Sequence, residues 1–559
     1  RYAVQKALES GELFADAKGN LFTKDAFVVG DLGARIDAFK ELKELNPQQK
    51  KALETLEAAL PEPLEIHEIY YHPSSNFIPK EAMLGFFDSL GVKATYYKPT
   101  NSFIIDHKSG SHTFQTAYSA ITKNMEHSAT AVLESLLKNK PLRFSKQVGG
   151  VKQSYPEQFA ANKMAQDKLL ETFYSYMQKH YAKDIADSYN HKFRRIVAND
   201  FQDEPILYGA NPDIKLHPHQ KSAIAFATSL QNVLLDHSVG AGKTYEMIAI
   251  ASEWKRLGIS KNPLFVVPNH LVEQWAKSFT QLYPASRVLS IPTNENERKR
   301  TLAMLANGGN DFDAVIMPHS TFDSIHLSRE KSAQYVYEEI QELEQFEKEL
   351  RQQASKNKDE FTKKEQERLE KSIAKKKIAL QQKYDKLLDT KAAKEDSITF
   401  EELGFDSLFV DEAHAYKNLG FLSANRNIRG MGNAVGSQKA LNLLHKVKNM
   451  QEREQRIVFA TGTPLVNSVS EVYTWQRFLA PQFLKDNKIA SFDSWVNLFG
   501  QVSSELERTP VGTYKDIMRL RSFKNTSELS ALYRQFAHYV DALAYTHLLA
   551  HDARHGLVL

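Results

Sequence analysis

The stretch Asn232–Thr244, NVLLDHSVGAGKT, decides how the rest of the chain is read. Its apolar run, Val233 to Leu235, has the length of a buried strand. It ends in a turn containing Gly240 and Gly242, and the last residues, Lys243 and Thr244, can open a helix. Such a turn cradles phosphate: glycines let backbone N–H groups point inward, and a helix N-terminus favours an anion. On that reading Gly240, Ala241, Gly242, Lys243 and Thr244 bind the nucleotide, Lys243 neutralising the β- and γ-phosphates and the Thr244 hydroxyl holding Mg²⁺. His237 stands where the strict phosphate-loop pattern has a further glycine. Taken alone, the stretch also fits a glycine-bearing turn without function.

Outward from this loop, short β-rich runs alternate with helical segments from Leu216 onward, which predicts an α/β fold with a parallel sheet covered on both faces. The candidate strands are Val233–Leu235, Leu264–Val267, Ala314–Met317, Leu408–Val410 and Ile457–Ala460. Polar clusters follow them, and in open parallel sheets ligands collect outside the carboxyl ends of strands. The rhythm breaks between Ile325 and Thr399. There Ile340, Leu343, Phe346 and Leu350, then Leu369, Ile373, Leu380, Tyr384 and Leu387, are spaced like heptads on two charged arms, with ASKNKDE as the tip. This predicts an inserted antiparallel helical hairpin, either a solvated spacer or an arm for DNA or a partner.

Among the clusters, SLFVDEAH (Ser407–His414) places Asp411 to hold Mg²⁺ and Glu412 to orient or deprotonate the attacking water, with His414 relaying to a neighbouring segment. ATGTPLVNS (Ala460–Ser468) offers Thr461, Gly462 and Thr463 to couple phosphate state to movement, or forms a plain polar turn. Upstream, LHPHQKSAIAF supplies Gln220, whose amide can read an adenine edge with two hydrogen bonds. His217 and His219 have no third ligand beside them and read as structural. Pro268, Asn269 and His270, with His319, Ser320 and Thr321, stand at strand ends suited to a nucleic-acid backbone.

In this order, LHPHQK, DHSVGAGKT, VVPNHLVEQW, VDEAH, ATGTPLVNS, SEVYTWQRFLAP and FDSWVNLFG resemble the first RecA-like lobe of Swi/Snf-type ATPases of helicase superfamily two, over about Leu216 to Phe536. VGAGKT, VVPNHLVEQ, LFVDEAHAYKNL and FATGTP are similar to the helicase portion of large phage and conjugative-element proteins that join such a motor to an adenine methyltransferase. The resemblance implies ATP and Mg²⁺ as cofactors, duplex DNA as partner, and ATP-driven closure of two lobes that ratchets the motor along DNA. Two departures are plain. No DPPY or NPPY tetrapeptide of a methyltransferase occurs, and no second-lobe motif with an arginine finger follows Phe536.

Before the sheet domain, Arg1 to Leu60 reads as mostly helical, with stripes at Leu32, Ile36, Phe39 and at Leu53, Leu56, Leu60. Phe77 to Asp106 reads as a helix and two strands about a turn at Lys98 to Asn101. Met164, Phe173 and Met177 read as one buried stripe. HKFRR, His191–Arg195, fits a solvated helix face or a DNA backbone contact. The resulting division is a helical region 1–76, an α+β and helical accessory region 77–190, a first lobe part 191–324, the hairpin 325–399, and a second lobe part with a helical extension 400–559.

Global composition adds bounds. The 559 residues exceed one compact core; 72 Lys+Arg against 68 Asp+Glu leave a formal charge of +4, so a DNA surface has to be local; and there is no cysteine, which excludes disulfides and thiolate metal sites. No apolar run is long enough for a membrane span, and the default is a cytoplasmic protein. The absent initiator Met suggests a piece of a longer chain. The function expected is an ATP-dependent DNA translocase or helicase motor that needs a second lobe for turnover. Its rivals are a strand-separating DEAH-type helicase and an ATP-gated DNA-binding scaffold.

Overall fold

The computed structural model describes residues 2–97, 102–123, 125–139, 142, 146–148, 151–197, 205–309, 311–354, 360–388, 398–423, 428–429, 436–463, 470–509 and 512–540. Its centre is a seven-stranded sheet, parallel throughout. The strands are β1 (Asn232–His237), β2 (Pro263–Val267), β3 (Val288–Ser290), β4 (Ala314–Pro318), β5 (Ser407–Val410), β6 (Arg456–Thr461) and β7 (Ala537–Val540). They lie in the order β3-β4-β2-β5-β6-β1-β7. The five runs legible in the sequence form the interior. The two edge strands, β3 and β7, are too short to announce themselves.

Apolar runs are continuous because both faces are covered. Along β2, Leu264 and Val266 enter one core while Phe265 and Val267 enter the other, and Ile457/Phe459 and Val458/Ala460 divide in the same way on β6. One face packs on helices Pro218–Ser229, Lys243–Arg256 and Val272–Leu282. The opposite face packs on Glu295–Ala306, Gln438–Glu452 and Ser470–Leu479.

The insertion is two antiparallel helices, Arg329–Ala354 and Glu360–Leu388. Val336, Ile340 and Leu343 pack on Ile373 and Leu380, joined by Phe346, Tyr384 and Leu387. Leu350, Leu369 and most of the tip lie outside the described side chains. The lobe reaches further into this segment than the 325–399 division allows. Ile325, Leu327 and Tyr335 are buried in the sheet core, and the Phe400 N–H donates to the His326 carbonyl at 2.8 Å. His445 (2.8 Å to Glu339) and Lys331 (3.0 Å to Glu452) fix the stalk to helix Gln438–Glu452.

A second body lies beside the sheet, and its core crosses the expected division. Residues from Ile69 to Ile196 share one core with Val472, Tyr473 and residues from Leu484 to Leu532, centred on Trp495 and Phe173. Ser154 bridges to Tyr514 on the long hairpin of Gly500–Arg508 and Tyr514–Phe523. Within helix Pro156–His180, Ala165, Leu169, Phe173 and Met177 are buried, but Met164 is 73% exposed. One residue from Ala165 is about 100° around a helix, so Met164 points away and leaves the stripe.

The first sixty residues hold more than helices. Leu13–Ala15 pairs with Leu21–Thr23 around a turn in which Asp16 Oδ1 accepts from the amides of Lys18 and Asn20, with Gly19 at φ 88°. Leu32, Ile36, Phe39 and Leu56 are buried together. HKFRR is a clasp, since Arg195 grips Asp37 through both carboxylate oxygens (2.7 and 3.0 Å) and the Gly33 carbonyl (2.9 Å). That bond holds the Asp37 carboxyl below its ordinary range. Lys98 to Asn101 fall outside the described residues.

Candidate nucleotide site

The site is assembled at the carboxyl ends of three adjacent strands, β5, β6 and β1. After β1 the loop turns outward at Val239, which is 79% exposed, and Gly240 and Gly242 take φ of 89° and 88°. A Cβ on Gly242 would stand 2.3 Å from Gln220 Nε2, so close approach as well as the dihedral demands glycine. Lys243 Nζ donates to the carbonyls of His237 (3.0 Å) and Ser238 (3.1 Å), which curls the ammonium into the loop it follows.

Gln220 is buried behind this loop. Its Oε1 accepts from the His217 amide (2.8 Å) and its Nε2 donates to the Gly242 carbonyl (3.2 Å), so the amide that the sequence assigns to adenine also props the phosphate loop. His219 Nε2 donates to the Ala241 carbonyl at 2.9 Å and stacks with His217.

Asp411 ends β5 and is 6% exposed. Its Oδ1 accepts the Glu412 amide (2.9 Å) and its Oδ2 the Trp275 indole N–H (3.3 Å). Burial and the neighbouring Glu412 charge push its pKa up to about 6, against the pull of the Glu412 amide, Lys243 and Trp275. Glu412 occupies the left-handed region at φ 50°, a strained backbone for a side-chain-bearing residue. Its Oε2 lies 3.0 Å from His414 Nδ1, which is 3.3 Å from Thr461 Oγ1 on β6. The Thr463 amide donates to the same hydroxyl at 3.1 Å. A Cβ on Gly462 would meet Val239 Cγ2 at 2.9 Å, so the β6 turn rests on the phosphate loop. Pro464 to Ser468 lie outside the described residues. Lys417 pairs with the buried Glu471 at 3.1 Å and ties the DEAH segment to helix Ser470–Leu479.

The residues expected on DNA divide. Asn269, His270 and Ser320 are exposed and Pro268 is half-buried. Asn269 Oδ1 accepts from the Ser320 amide (3.3 Å) and hydroxyl (3.2 Å), linking the ends of β2 and β4. His319 and Thr321 turn inward instead. His319 Nε2 donates to the Asp411 carbonyl at 2.9 Å, and burial lowers its pKa to about 4.

Three partners escaped the sequence reading. Trp275 touches Asp411 from 136 residues away. Tyr533 donates to Asp236 at 3.0 Å, and burial raises that carboxyl to about 6. His538 on β7 meets His237 at 2.8 Å. Only for Trp275 was there a local signal, an indole one turn into the helix after β2.

A family model described as Probable helicase domain matches residues 228–541, more than half of the chain. The chain belongs to this helicase domain family. Over 442 residues the helicase chain is 21% identical to Defense against restriction protein B of Escherichia phage P1, covering 71% of this chain and 19% of that protein. It is 24% identical over 146 residues, 25% of this chain and 14% of the relative, to the Caenorhabditis elegans homolog of the SWI/SNF-related matrix-associated actin-dependent regulator of chromatin subfamily A containing DEAD/H box 1. The Sulfolobus solfataricus SWI2/SNF2 ATPase core domain aligns at TM-score 0.31 and 14% identity, over 62% of this chain and 48% of that one. The helicase chain thus spans less than a fifth of the two curated relatives named here. No helix among its described residues is long and apolar enough to cross a membrane.

Proposed function

We propose that this chain is the ATP-hydrolysing lobe of a DNA translocase, working in the cytoplasm as part of a larger phage or mobile-element DNA-processing protein. One observation carries the reading: the DEAH strand end, the TGT turn and the phosphate loop stand side by side and touch, through His414 to Thr461 and Gly462 to Val239. Membership of a helicase family and the Swi/Snf relative support DNA, probed as duplex, as the track.

The residues suit Mg·ATP. Lys243 donates to two loop carbonyls and no carboxylate neutralises it directly among the described residues, which is how a cation waiting for phosphate is held, and Thr244 and Asp411 offer the oxygen donors that Mg²⁺ prefers. Asp411 is a buried carboxyl with a raised pKa, the condition a nearby cation relieves. Bound Mg²⁺ would neutralise charge on the phosphates. Lys243 binds the β- and γ-phosphates, Gln220 braces the loop and reads adenine, and Glu412 orients and deprotonates water. His414 passes that state to Thr461, Gly462 and Thr463. Asn269, His270, Ser320 and Pro268 track the DNA backbone, while His319 and Thr321 support them from behind.

Phosphoryl transfer also calls for positive charge on the far side of the γ-phosphate, where an arginine finger is worth about 10³–10⁵ in rate. We assign that charge to a second RecA-like lobe in the parent protein, which also accommodates a methyltransferase domain. The test is duplex-stimulated phosphate release by the parent protein. Glu412→Gln should keep Mg·ATP affinity and lose turnover. Equal turnover by this variant would place the base elsewhere, and nucleotide binding without any duplex-stimulated turnover in the parent would make the protein a scaffold. Strand displacement in the same assay would make it a helicase in the narrow sense.

A further inference from the structure

His237, the residue that departs from the phosphate-loop pattern, is fully buried. Its Nδ1 lies 2.8 and 3.0 Å from the two carboxylate oxygens of Glu246, in the first turn of the helix that follows the loop. Its Nε2 lies 2.8 Å from Nδ1 of His538 on the edge strand β7, and His538 Nε2 lies 3.1 Å from the Ser222 hydroxyl.

A carboxylate only accepts, so His237 donates to it from Nδ1. Through its other nitrogen His237 meets His538, and His538 meets the Ser222 hydroxyl, so the three contacts form one continuous chain from Glu246 to Ser222. Burial, with His237, His219 and Arg534 nearby, lowers the His538 pKa to about 3, which keeps that ring neutral.

The same two loop residues are also held through their backbone. The Ser238 amide donates to the Val540 carbonyl of β7 at 3.3 Å, while Lys243 Nζ occupies the carbonyls of His237 and Ser238 from the other side. A lysine that turns to a phosphate gives up these carbonyls. Of these two backbone ties on His237–Ser238, the one to β7 then remains, beside the side-chain bond from His237 to Glu246.

We propose that His538 is a positioning residue: it locks the start of the phosphate loop to β7, so that occupancy of the loop is transmitted to this edge strand of the sheet. This rests on the proposed nucleotide site and adds the path by which binding is felt at the edge of the sheet.

The test measures Mg·ATPγS affinity by calorimetry and hydrogen exchange of 537–540 with and without the nucleotide. In the wild type, exchange of these amides should slow on binding by about fivefold or more. His538→Phe keeps the ring volume and removes both nitrogens. It should lower affinity about tenfold, an ordinary size for a coupling between sites, and abolish the exchange response. His538→Gln, which can donate and accept, should restore most of both. Ser222→Ala removes the last hydrogen-bonding group from a half-buried helix position and should show smaller losses in the same sense, which covers the case of a misfolded His538→Phe. Wild-type affinity together with a wild-type strand response in folded His538→Phe or Ser222→Ala would overturn the proposal. So would a silent strand in a wild type whose binding Lys243→Ala abolishes. Unchanged binding in Lys243→Ala would instead bring down the nucleotide site itself.

Discussion

The sheet lobe and the body beside it bury comparable apolar cores in opposite ways. In the lobe, each of the five interior strands brings four to six consecutive residues, and polar groups are buried at the carboxyl ends: Asp236, His237, Asp411 and Thr461. In the body, Phe173, Tyr189, Trp495 and Phe499 come from segments more than 300 residues apart, and large rings supply the cohesion. Helix Ser470–Leu479 is the shared wall. Val472 and Tyr473 face the body, Trp475, Phe478 and Leu479 face the sheet, and Gln476 accepts the Trp495 indole at 2.7 Å. The lobe spends stability on buried charge where chemistry is proposed, and the body supplies a rigid wall behind it.

The largest effect tests that wall. Trp495→Ala should cost about 3–5 kcal/mol, the usual range for truncating a buried aromatic ring, read by urea denaturation. Residues 69–196 and 484–532 should lose protection together in hydrogen exchange, because they share one core. Loss confined to 484–532 would show two separate bodies.

Next comes the buried carboxyl of the lobe. The folded pKa of Asp411 is raised from 3.8 to about 6, so its contribution to stability is full below about pH 4 and is lost as pH rises through about 6. Asp411→Asn removes that loss. The ligand-free variant should therefore be more stable than wild type at pH 7.5 by about 2–3 kcal/mol, with the gap closing by pH 4, while the Mg²⁺ dependence of nucleotide binding disappears. A destabilised variant at pH 7.5 would mean that the carboxylate is already satisfied by Trp275 and the Glu412 amide.

The smallest effect concerns the insertion. Replacing 341–379 by a short Gly/Ser linker should shift Tm by less than about 3 °C, since the stalk root on helix Gln438–Glu452 is kept and surface connections are tolerant of length. Removing 325–399 should cost far more because Ile325, Leu327 and Tyr335 leave the sheet core. Equal Tm for the two deletions would contradict the assignment of the stalk root.

The same contrast explains what was legible in the sequence. Phosphate loop, DEAH and TGT segments each follow an apolar run, so local pattern placed them at strand ends, and parallel topology brought the ends together. Trp275 on Asp411, Tyr533 on Asp236 and His538 on His237 are long-range contacts, and of the three partners Tyr533 and His538 carry no local pattern. The body was illegible for the same reason: its two halves are separate amphipathic stretches until they meet. Met164 misled because an apolar residue one position off the stripe differs little in spacing yet faces solvent, and the buried turns of His319 and Thr321 hide behind exposed neighbours of the same polarity.

The most direct test of the nucleotide site is calorimetric titration of ATP, with and without Mg²⁺, into wild type and Lys243→Ala, with circular dichroism to confirm that both are folded. Lys243 is, among the described residues, the one lysine or arginine held on the carbonyls of the loop, so its loss should weaken Mg·ATP binding roughly a hundredfold while the fold persists. A folded Lys243→Ala that binds Mg·ATP as tightly as wild type would contradict the account.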